Sequence, residues 1–227
     1  MSGVAATGWL VLTVALYFAV KRVHARYPRQ WLAPFIVVPV ILIAILLGAH
    51  VPYASYASRS HWLSWMLGPA TVAFAVPIYD HRAVARRHWL PLAAGVVVGM
   101  GVAFASSVAL AHWLQLPEVL ERSLAVRSIS TPFAMMAAPT LGGTADLAAI
   151  FVVVTGVVGM LLGDTLLKVL PLRSRVSAGA LFGAGAHAAG TAAAHRRSTD
   201  EGVIASLTMI VAGVLMVILA PFLTGLL

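Results

Sequence analysis

Long apolar runs, each close to the length of a membrane-spanning helix, dominate this sequence. A helix rises about 1.5 Å per residue, so crossing about 30 Å of hydrocarbon takes about 20 residues. Six stretches approach that length: Val4–Val20, Trp31–Gly48, Leu63–Tyr79, Trp89–Trp113, Ala145–Leu170 and Val203–Leu223. They are continuously apolar and do not alternate, which favours α-helices over strands. The sequence therefore predicts an all-α polytopic membrane protein with about six transmembrane helices.

The composition supports a membrane protein and excludes intrinsic disorder. Of the 227 residues, 61% are hydrophobic and 10% are charged, whereas soluble chains average about 45–50% and about 25%. The net charge of +8 does not indicate nucleic acid, because the basic residues lie in short clusters between apolar runs. The first run is followed, not preceded, by its basic residues, unlike a cleavable signal peptide. We therefore expect one integral membrane domain over residues 1–227, with residues 1–30 as a peripheral span and basic loop and residues 31–227 as the main region.

Two further apolar stretches are poorly suited to be simple spans. Ser128–Gly143 contains Pro132 and Pro139 and ends in two glycines, and thirteen of the seventeen residues in Ala178–Ala194 are Gly or Ala. Proline and glycine both interrupt helices, and small residues let backbones approach closely. Both stretches are predicted to be re-entrant or broken-helix hairpins.

The basic clusters predict the topology. Clusters of Lys and Arg usually lie on the cytoplasmic side of a membrane. All four clusters of this chain lie on that side if the N-terminus is outside, the first hairpin enters and leaves from the outside, and the second hairpin enters and leaves from the inside. These clusters are Lys21–Arg29, Arg82–Arg87, Lys168–Arg175 and Arg196–Arg197. The alternative is eight full spans, which would leave the last cluster outside.

A short internal repeat is a further prediction. Gly68–Pro77 resembles Thr131–Pro139, because each is an Ala-rich segment bounded by prolines. Inverted repeats with interrupted apolar segments are typical of secondary transporters, so we expect an inverted repeat and an elevator-like movement. The alternative is that Pro–Ala stretches arise independently in membrane helices.

The segment around Pro132 is a candidate anion site. We expect Thr131 to cap a helix that starts at Pro132, because proline is favoured in the first turn of a helix. A helix N-terminus carries free N–H groups and a positive dipole end. Arg127, Ser128, Ser130 and Thr131 would add a full positive charge and hydroxyl donors. Gly68, Pro69 and Thr71 occupy the corresponding part of the other repeat. The alternative is two kinked helices whose hydroxyls bond to their own backbone.

His187 lies in the middle of the Gly/Ala-rich stretch and is the second candidate. An ionisable side chain at membrane depth usually faces a cavity or a partner, and imidazole can bind a carboxylate or carry a proton. Glu201 is a further candidate for proton coupling, although Ser198 and Glu201 also fit a capping box at the start of the last span. No metal site, cofactor or enzymatic motif is expected, because the common nucleophile, zinc and phosphate-loop patterns are missing.

Several of these segments, in the same order, resemble the LrgB/CidB family. Arg127–Ala134 resembles its Lys-Ser-Val-Thr-Thr-Pro-Ile-Ala motif, and Gly185–Ala192 resembles its Ser-His-Ala-Ile-Gly-Thr-Ala signature. Leu67–Ala70 and Ala75–Tyr79 resemble its Leu-Gly-Pro-Ala and Ala-Val-Pro-Leu-Tyr segments. The resemblance covers about residues 30–225. It departs at Arg127, which replaces Lys and keeps the charge with another geometry.

The resemblance implies two functions. Bacterial members are described as holin-like or antiholin-like regulators of murein hydrolases and autolysis that act with a small LrgA/CidA-type membrane partner. Plastid relatives export glycolate and glycerate, and bacterial relatives have been linked to pyruvate uptake. We therefore predict a transporter of small monocarboxylates in the bacterial cytoplasmic membrane, with the antiholin-like regulator as the alternative; a second copy of the chain is a further candidate partner. The predicted substrate-binding residues are Gly68, Pro69, Thr71, Arg127, Ser128, Ser130, Thr131, Pro132, Gly142, Gly143, His187, Gly190 and Thr191.

Overall fold

The computed structural model describes residues 3–170, 172 and 174–227, and within these the chain is helical apart from short turns. Arg173 of the predicted basic cluster lies outside the described residues. Four described stretches are long and apolar enough to cross a membrane: Trp62–Asp80, Trp89–Trp113, Ala145–Val169 and Thr199–Leu226. The helices are α1 (Gly3–Arg26), α2 (Pro34–Gly48), α3 (Tyr53–Trp65), α4 (Leu67–Ala73), α5 (Ala75–Asp80), α6 (Arg82–Arg87), α7 (Trp89–Trp113), α8 (Glu118–Leu124), α9 (Thr131–Thr140), α10 (Ala145–Val169), α11 (Arg175–Arg197) and α12 (Thr199–Leu223). The predicted all-α membrane fold is confirmed.

The chain forms two compact units that meet in sequence between Pro69 and Ala70. In the first unit, α1 packs against α2 and α3. A small apolar cluster joins α1 to α2 through Val20, Val38 and Leu42. The hydroxyl of Tyr56 in α3 lies 3.4 Å from that of Thr13 in α1. Both α2 and α3 therefore pack on α1 in this unit.

In the second unit, α12 is the central helix. It is buried along most of its length and packs against α7, α9 and α11. Gly213 allows the ring of Phe133 to approach the α12 backbone, since a Cβ there would overlap the ring. Phe133 also stacks on Phe74, with ring centroids 5.8 Å apart. The core of this unit therefore lies between α12 and the two segments that the sequence predicts to be hairpins.

The structure divides the predicted span Leu63–Tyr79 and adds two short helices. Single turn residues, Met66 and Phe74, separate α3, α4 and α5. Pro69 and Pro77 fall in the first turns of α4 and α5, where proline is tolerated because its missing N–H has no helical partner. The added helices, α6 and α8, lie outside the predicted spans and hairpins.

The segment before and through α9 is a hairpin, as predicted. Ser123 Oγ accepts a hydrogen bond from the Thr144 backbone N–H over 2.9 Å, and Arg122 Nη1 donates to the Leu141 carbonyl over 3.1 Å. The residues before and after this segment are therefore neighbours, so the chain enters and leaves the segment at the same point. One arm is a turn that ends at Ser130, and the other is α9, whose ten residues extend about 15 Å, half of the hydrocarbon thickness. We call residues 125–144 the first hairpin.

The helix α11 is also a hairpin. A straight helix of 23 residues would hold its ends about 33 Å apart. Instead, Arg175 at its start binds Asp200 at 2.7 Å and Arg197 at its end binds Glu201 at 2.8 Å, both in the first turn of α12. The chain reverses at His187, the one non-helical residue inside α11. We call residues 175–197 the second hairpin, and the alternative of a full span is wrong for this segment.

Candidate functional site

The tips of the two hairpins meet. His187 forms the tip of the second hairpin, and its imidazole lies next to the backbone of Ser128 and within electrostatic range of the Arg127 guanidinium. The residue is only 2% exposed. Among the described residues, neither of its ring nitrogens makes a hydrogen bond of good geometry, and the Ser128 backbone is a polar neighbour of the ring. A buried polar group without a partner is costly, so the ring nitrogens keep the capacity to bind a ligand.

The backbone at His187 supports a functional role for this residue. Its φ of 46° and ψ of −126° lie outside the regions that a side chain with a Cβ readily adopts. Such a conformation costs about 1–3 kcal/mol and occurs most often at binding and switch sites. The packing around the hairpin must therefore impose it.

Small residues on neighbouring helices bring the tip of the second hairpin into the unit. The Gly159 position of α10 has no room for a Cβ, because the Gly185 carbonyl and the Ala186 side chain occupy that space. On α7, a Cβ at Gly99 would lie 3.4 Å from Ala184. The Gly-xxx-Gly patterns in these helices are consistent with such close approach.

Arg127 supplies the positive charge at the tips. It is half-buried, and its Nε donates a hydrogen bond to Oγ of Ser107 in α7 over 2.8 Å. None of the ion pairs within the described part of the chain includes Arg127. Its guanidinium has five N–H donors, so donors remain for an anion.

Ser130 marks the N-terminus of α9 and has an unsatisfied hydroxyl. Ser130, not Thr131, is the N-cap residue, and its side chain caps no backbone N–H. The hydroxyl is buried, with the residue 2% exposed, and it has no partner among the described residues. Pro132 is in the first turn of α9, as predicted. The first N–H groups of α9 thus lack a side-chain acceptor and lie beside a free hydroxyl.

A cavity of about 380 Å³ lies beside Arg127. The guanidinium and the Thr155 hydroxyl give its wall a polar part, and Leu124 and Phe151 contribute apolar surface. Gly185 from the second hairpin also lines it. This volume is at the lower end of the range for small-molecule sites, about 300–1,000 Å³. Thr155 and Ser107 were not among the predicted site residues, and only their positions in the fold reveal them.

Four of the predicted site residues pack within the hairpins, two at the foot of the first and two about one helical turn after His187 in the second. Gly142, with a φ of +86°, turns the chain at the foot of the first hairpin against Arg122, and Gly143 packs there against Ser123. Gly190 packs against the Phe182 carbonyl between the arms of the second hairpin, and the Thr191 hydroxyl lies 3.9 Å from the sulfur of Met209. In these positions the residues shape the hairpins.

The remaining predicted residues are in α4 and at the base of the second hairpin, which is the end where α11 begins and finishes beside the start of α12. Gly68 and Pro69 belong to the first compact unit, and Thr71 belongs to the second. Glu201 is 8% exposed and lies at the base, where the backbone of Gly179 approaches its carbonyl. Since Gly179 precedes His187 by eight residues on one helical arm, the tip and the base are about 12 Å apart.

An ion-pair network closes the base of the second hairpin. Arg197 donates from Nε to Glu201 over 2.8 Å and from Nη1 to Asp164 of α10 over 3.1 Å. The hydrogen bond to Glu201 raises the pKa of Arg197 above its usual value, so this residue stays protonated. Ser198 caps α12 by accepting from the Glu201 N–H over 3.1 Å, which confirms the Ser198 cap expected from the sequence. The carboxylate of Glu201 binds Arg197.

Comparison with known proteins gives a consistent family assignment. The model of the LrgB-like family matches residues 13–226. The protein YwbG of Bacillus subtilis, described as uncharacterized, is 37% identical over 214 residues, covering 94% of this chain and 95% of the relative. The holin-like protein CidB of Staphylococcus aureus is 28% identical over 214 residues, covering 94% and 93%. No solved structure matches the chain.

Proposed function

The chain belongs to the LrgB-like family, and we propose that it carries small monocarboxylates across a bacterial membrane. The observation that carries this proposal is the buried, unpartnered imidazole of His187, which meets the Arg127 region of the opposite hairpin. The family relationship and the spanning helices support a multi-pass membrane protein. The substrate class and the transport cycle are our proposals.

The chemistry at the tips suits a carboxylate. Its charge would be neutralised by Arg127, whose planar guanidinium binds carboxylates through two parallel hydrogen bonds. The Ser130 hydroxyl and the N-terminus of α9 would supply further donors. Most of the cavity wall beside Arg127 is apolar, including Leu124 and Phe151, and would contact the carbon chain of such a substrate. A 2-oxo or 2-hydroxy monocarboxylate such as pyruvate or glycolate meets these requirements.

The hairpin geometry supports a transport cycle. Two re-entrant segments whose tips meet would hold a substrate inside the membrane with protein on either side of it, as alternating access requires. His187 is our candidate for a coupled proton at the tips. Glu201, at the base, is a candidate for a second proton site. We also propose, from the basic clusters, that the N-terminus lies outside.

Uptake by reconstituted protein tests the proposal. Purified protein in liposomes should accumulate radiolabelled pyruvate or glycolate with saturation kinetics, and an imposed proton gradient should drive accumulation if His187 is coupled. Arg127→Gln and His187→Ala should each lower uptake at least about tenfold, since each removes a charged or polar partner worth about 1.5 kcal/mol or more.

Matched controls separate the site from general charge effects. Arg196→Gln and His112→Gln change exposed residues of the same types and should leave uptake unchanged. Size-exclusion profiles should show that all variants are folded. Absence of saturable uptake by the parent protein, or equal uptake by the site variants and the controls, would contradict the proposal.

A second candidate is a holin-like regulator of lysis, and the names of the relatives favour it over transport. The Staphylococcus aureus relative is named a holin-like protein, so this chain would influence murein hydrolase activity, together with an LrgA/CidA-type membrane partner. Lysis should then be unaffected by Arg127→Gln, while deletion of the whole chain changes it. If the site variant and the deletion alter lysis equally, control of lysis follows from transport.

A further inference from the structure

A second pocket lies far from the hairpin tips, at the end of the second unit where α11 and α12 begin. It has a volume of about 530 Å³ and is bounded by α6, the start of α11 and the start of α12. The transport proposal gives this pocket no role. Its size lies within the range that accommodates small ligands or lipid headgroups, about 300–1,000 Å³.

The charge of this pocket is positive. Arg87, His88 and His81 line one side, and Arg175 lines the other. Asp200, the acidic residue among the described ones that line the pocket, binds Arg175 at 2.7 Å, so the two charges offset each other. Arg87 takes part in none of the ion pairs found in the described part of the chain. A free guanidinium with nearby imidazoles is a strong site for an oxyanion.

The floor of the pocket is apolar. Val84, Val176, Val203 and Ile204 line it beneath the cationic side chains. A free inorganic anion would gain nothing from such a floor. An amphipathic ligand, with an anionic head and an apolar body, would contact both parts.

Aromatic residues place the pocket at the level of a membrane interface. Tyr79 and Trp89 flank α6 on either side and are 67% and 65% exposed. Such residues concentrate at the boundary between hydrocarbon and headgroups. The guanidinium of Arg82 lies 4.4 Å from the Tyr79 ring centroid, so α6 combines aromatic and cationic groups as an interfacial helix does.

We propose that this pocket binds the phosphate of an anionic phospholipid, with Arg87 and the histidines at the phosphate and the apolar floor under the glycerol and first acyl carbons. Basic pockets between membrane helices are suited to lipid phosphates. Because one wall is α6 and the others are the starts of α11 and α12, a bound lipid would join the base of the second hairpin to the interfacial helix.

Native mass spectrometry of the full-length protein in detergent tests this proposal. The probes are phosphatidylglycerol, phosphatidylcholine with the same acyl chains, and inorganic phosphate. Phosphatidylglycerol should bind at least about fivefold more tightly than phosphatidylcholine, and Arg87→Gln should reduce this affinity about fivefold, the effect of one basic residue near a lipid phosphate. Arg86→Gln, which makes the same change at the neighbouring exposed residue, should have little effect.

A further variant tests the sign of the charge effect. Asp200→Asn removes the carboxylate that holds Arg175 and should strengthen binding of phosphatidylglycerol. Equal binding of both lipids, an equal loss in Arg86→Gln and Arg87→Gln, or displacement of the lipid by millimolar inorganic phosphate would overturn the assignment. The readout is lipid occupancy, so it is independent of whether the protein transports carboxylates.

Discussion

Arg127 is held by Ser107: the Nε of Arg127 donates a hydrogen bond to the Ser107 Oγ over 2.8 Å. Ser107 is itself buried in α7, and its hydroxyl donates to the Ala103 carbonyl over 2.6 Å. The hydroxyl therefore connects the cationic side chain of the first hairpin to a long membrane helix. This bond fixes the direction in which the guanidinium presents its remaining donors.

Ser107→Ala should weaken substrate binding while leaving the protein folded. Without its acceptor, Arg127 would lose a preferred orientation, and a hydrogen bond to a charged group contributes about 1.5 kcal/mol. We expect the KM for uptake of the carboxylate to rise about tenfold, as measured with reconstituted protein. Ser106→Ala is the control, because Ser106 bonds only to its own helix in the contacts described. Equal KM values for the two variants would show that Ser107 does not position Arg127.

The strained backbone at His187 can be tested separately from its side chain. Glycine adopts a positive φ without penalty, whereas alanine does not. Both His187→Gly and His187→Ala should lose uptake, because both lack the imidazole. The glycine variant should unfold at a temperature about 2–4 °C higher than the alanine variant, corresponding to about 1 kcal/mol in a chain of this size.

Ala188→Gly is a control in which glycine should change the unfolding temperature in the opposite direction. Ala188 is helical and exposed, so glycine there should lower the unfolding temperature through its helix penalty. Fluorescence-monitored unfolding in detergent measures all three variants. If His187→Gly is no more stable than His187→Ala, position 187 is not strained.

The hairpins were predictable because their causes are local. Proline is favoured in the first turn of a helix, which is where Pro132 lies. A run of Gly and Ala around His187 has little side-chain surface with which to hold a straight span. The charge of Arg196 and Arg197 then required the second segment to return to its side of entry. These local features were enough to predict where the two hairpins lie in the sequence.

The contacts within the site were not predictable from local patterns. Ser107 precedes Arg127 by 20 residues and Asp164 precedes Arg197 by 33, and no pattern in one sequence specifies such pairs. Gly142 also turns the chain with a φ of +86°, and its prediction as a substrate-binding residue did not include that role. Helix ends are also uncertain by one or two residues, and Ser130 instead of Thr131 is the N-cap for this reason.

Arg197 should stabilise the base of the second hairpin. Its two partners come from α10 and α12, so Arg197→Gln removes one link to each helix and leaves the largely buried Glu201 carboxylate without its cation. The ion pairs are partly exposed, so the expected loss is limited to about 1 kcal/mol, or about 2–4 °C in unfolding temperature. The difference from the parent should shrink at high salt. Arg196→Gln is the matched control, and an equal loss in that variant would assign the effect to net charge.

The chain contains no cysteine, which permits a direct test of the second hairpin by single-cysteine labelling in intact cells. Ser177 and Arg196 are exposed near the two ends of α11, and Gln115 follows the far end of α7. Because both ends of α11 lie beside the start of α12, Ser177→Cys and Arg196→Cys should share one pattern of reactivity with a membrane-impermeant maleimide. Gln115→Cys should show the opposite pattern, since α7 is long enough to cross the membrane. The basic residues predict that only Gln115→Cys reacts from outside. Labelling of Ser177→Cys and Arg196→Cys from opposite sides would require a full span and would contradict the hairpin.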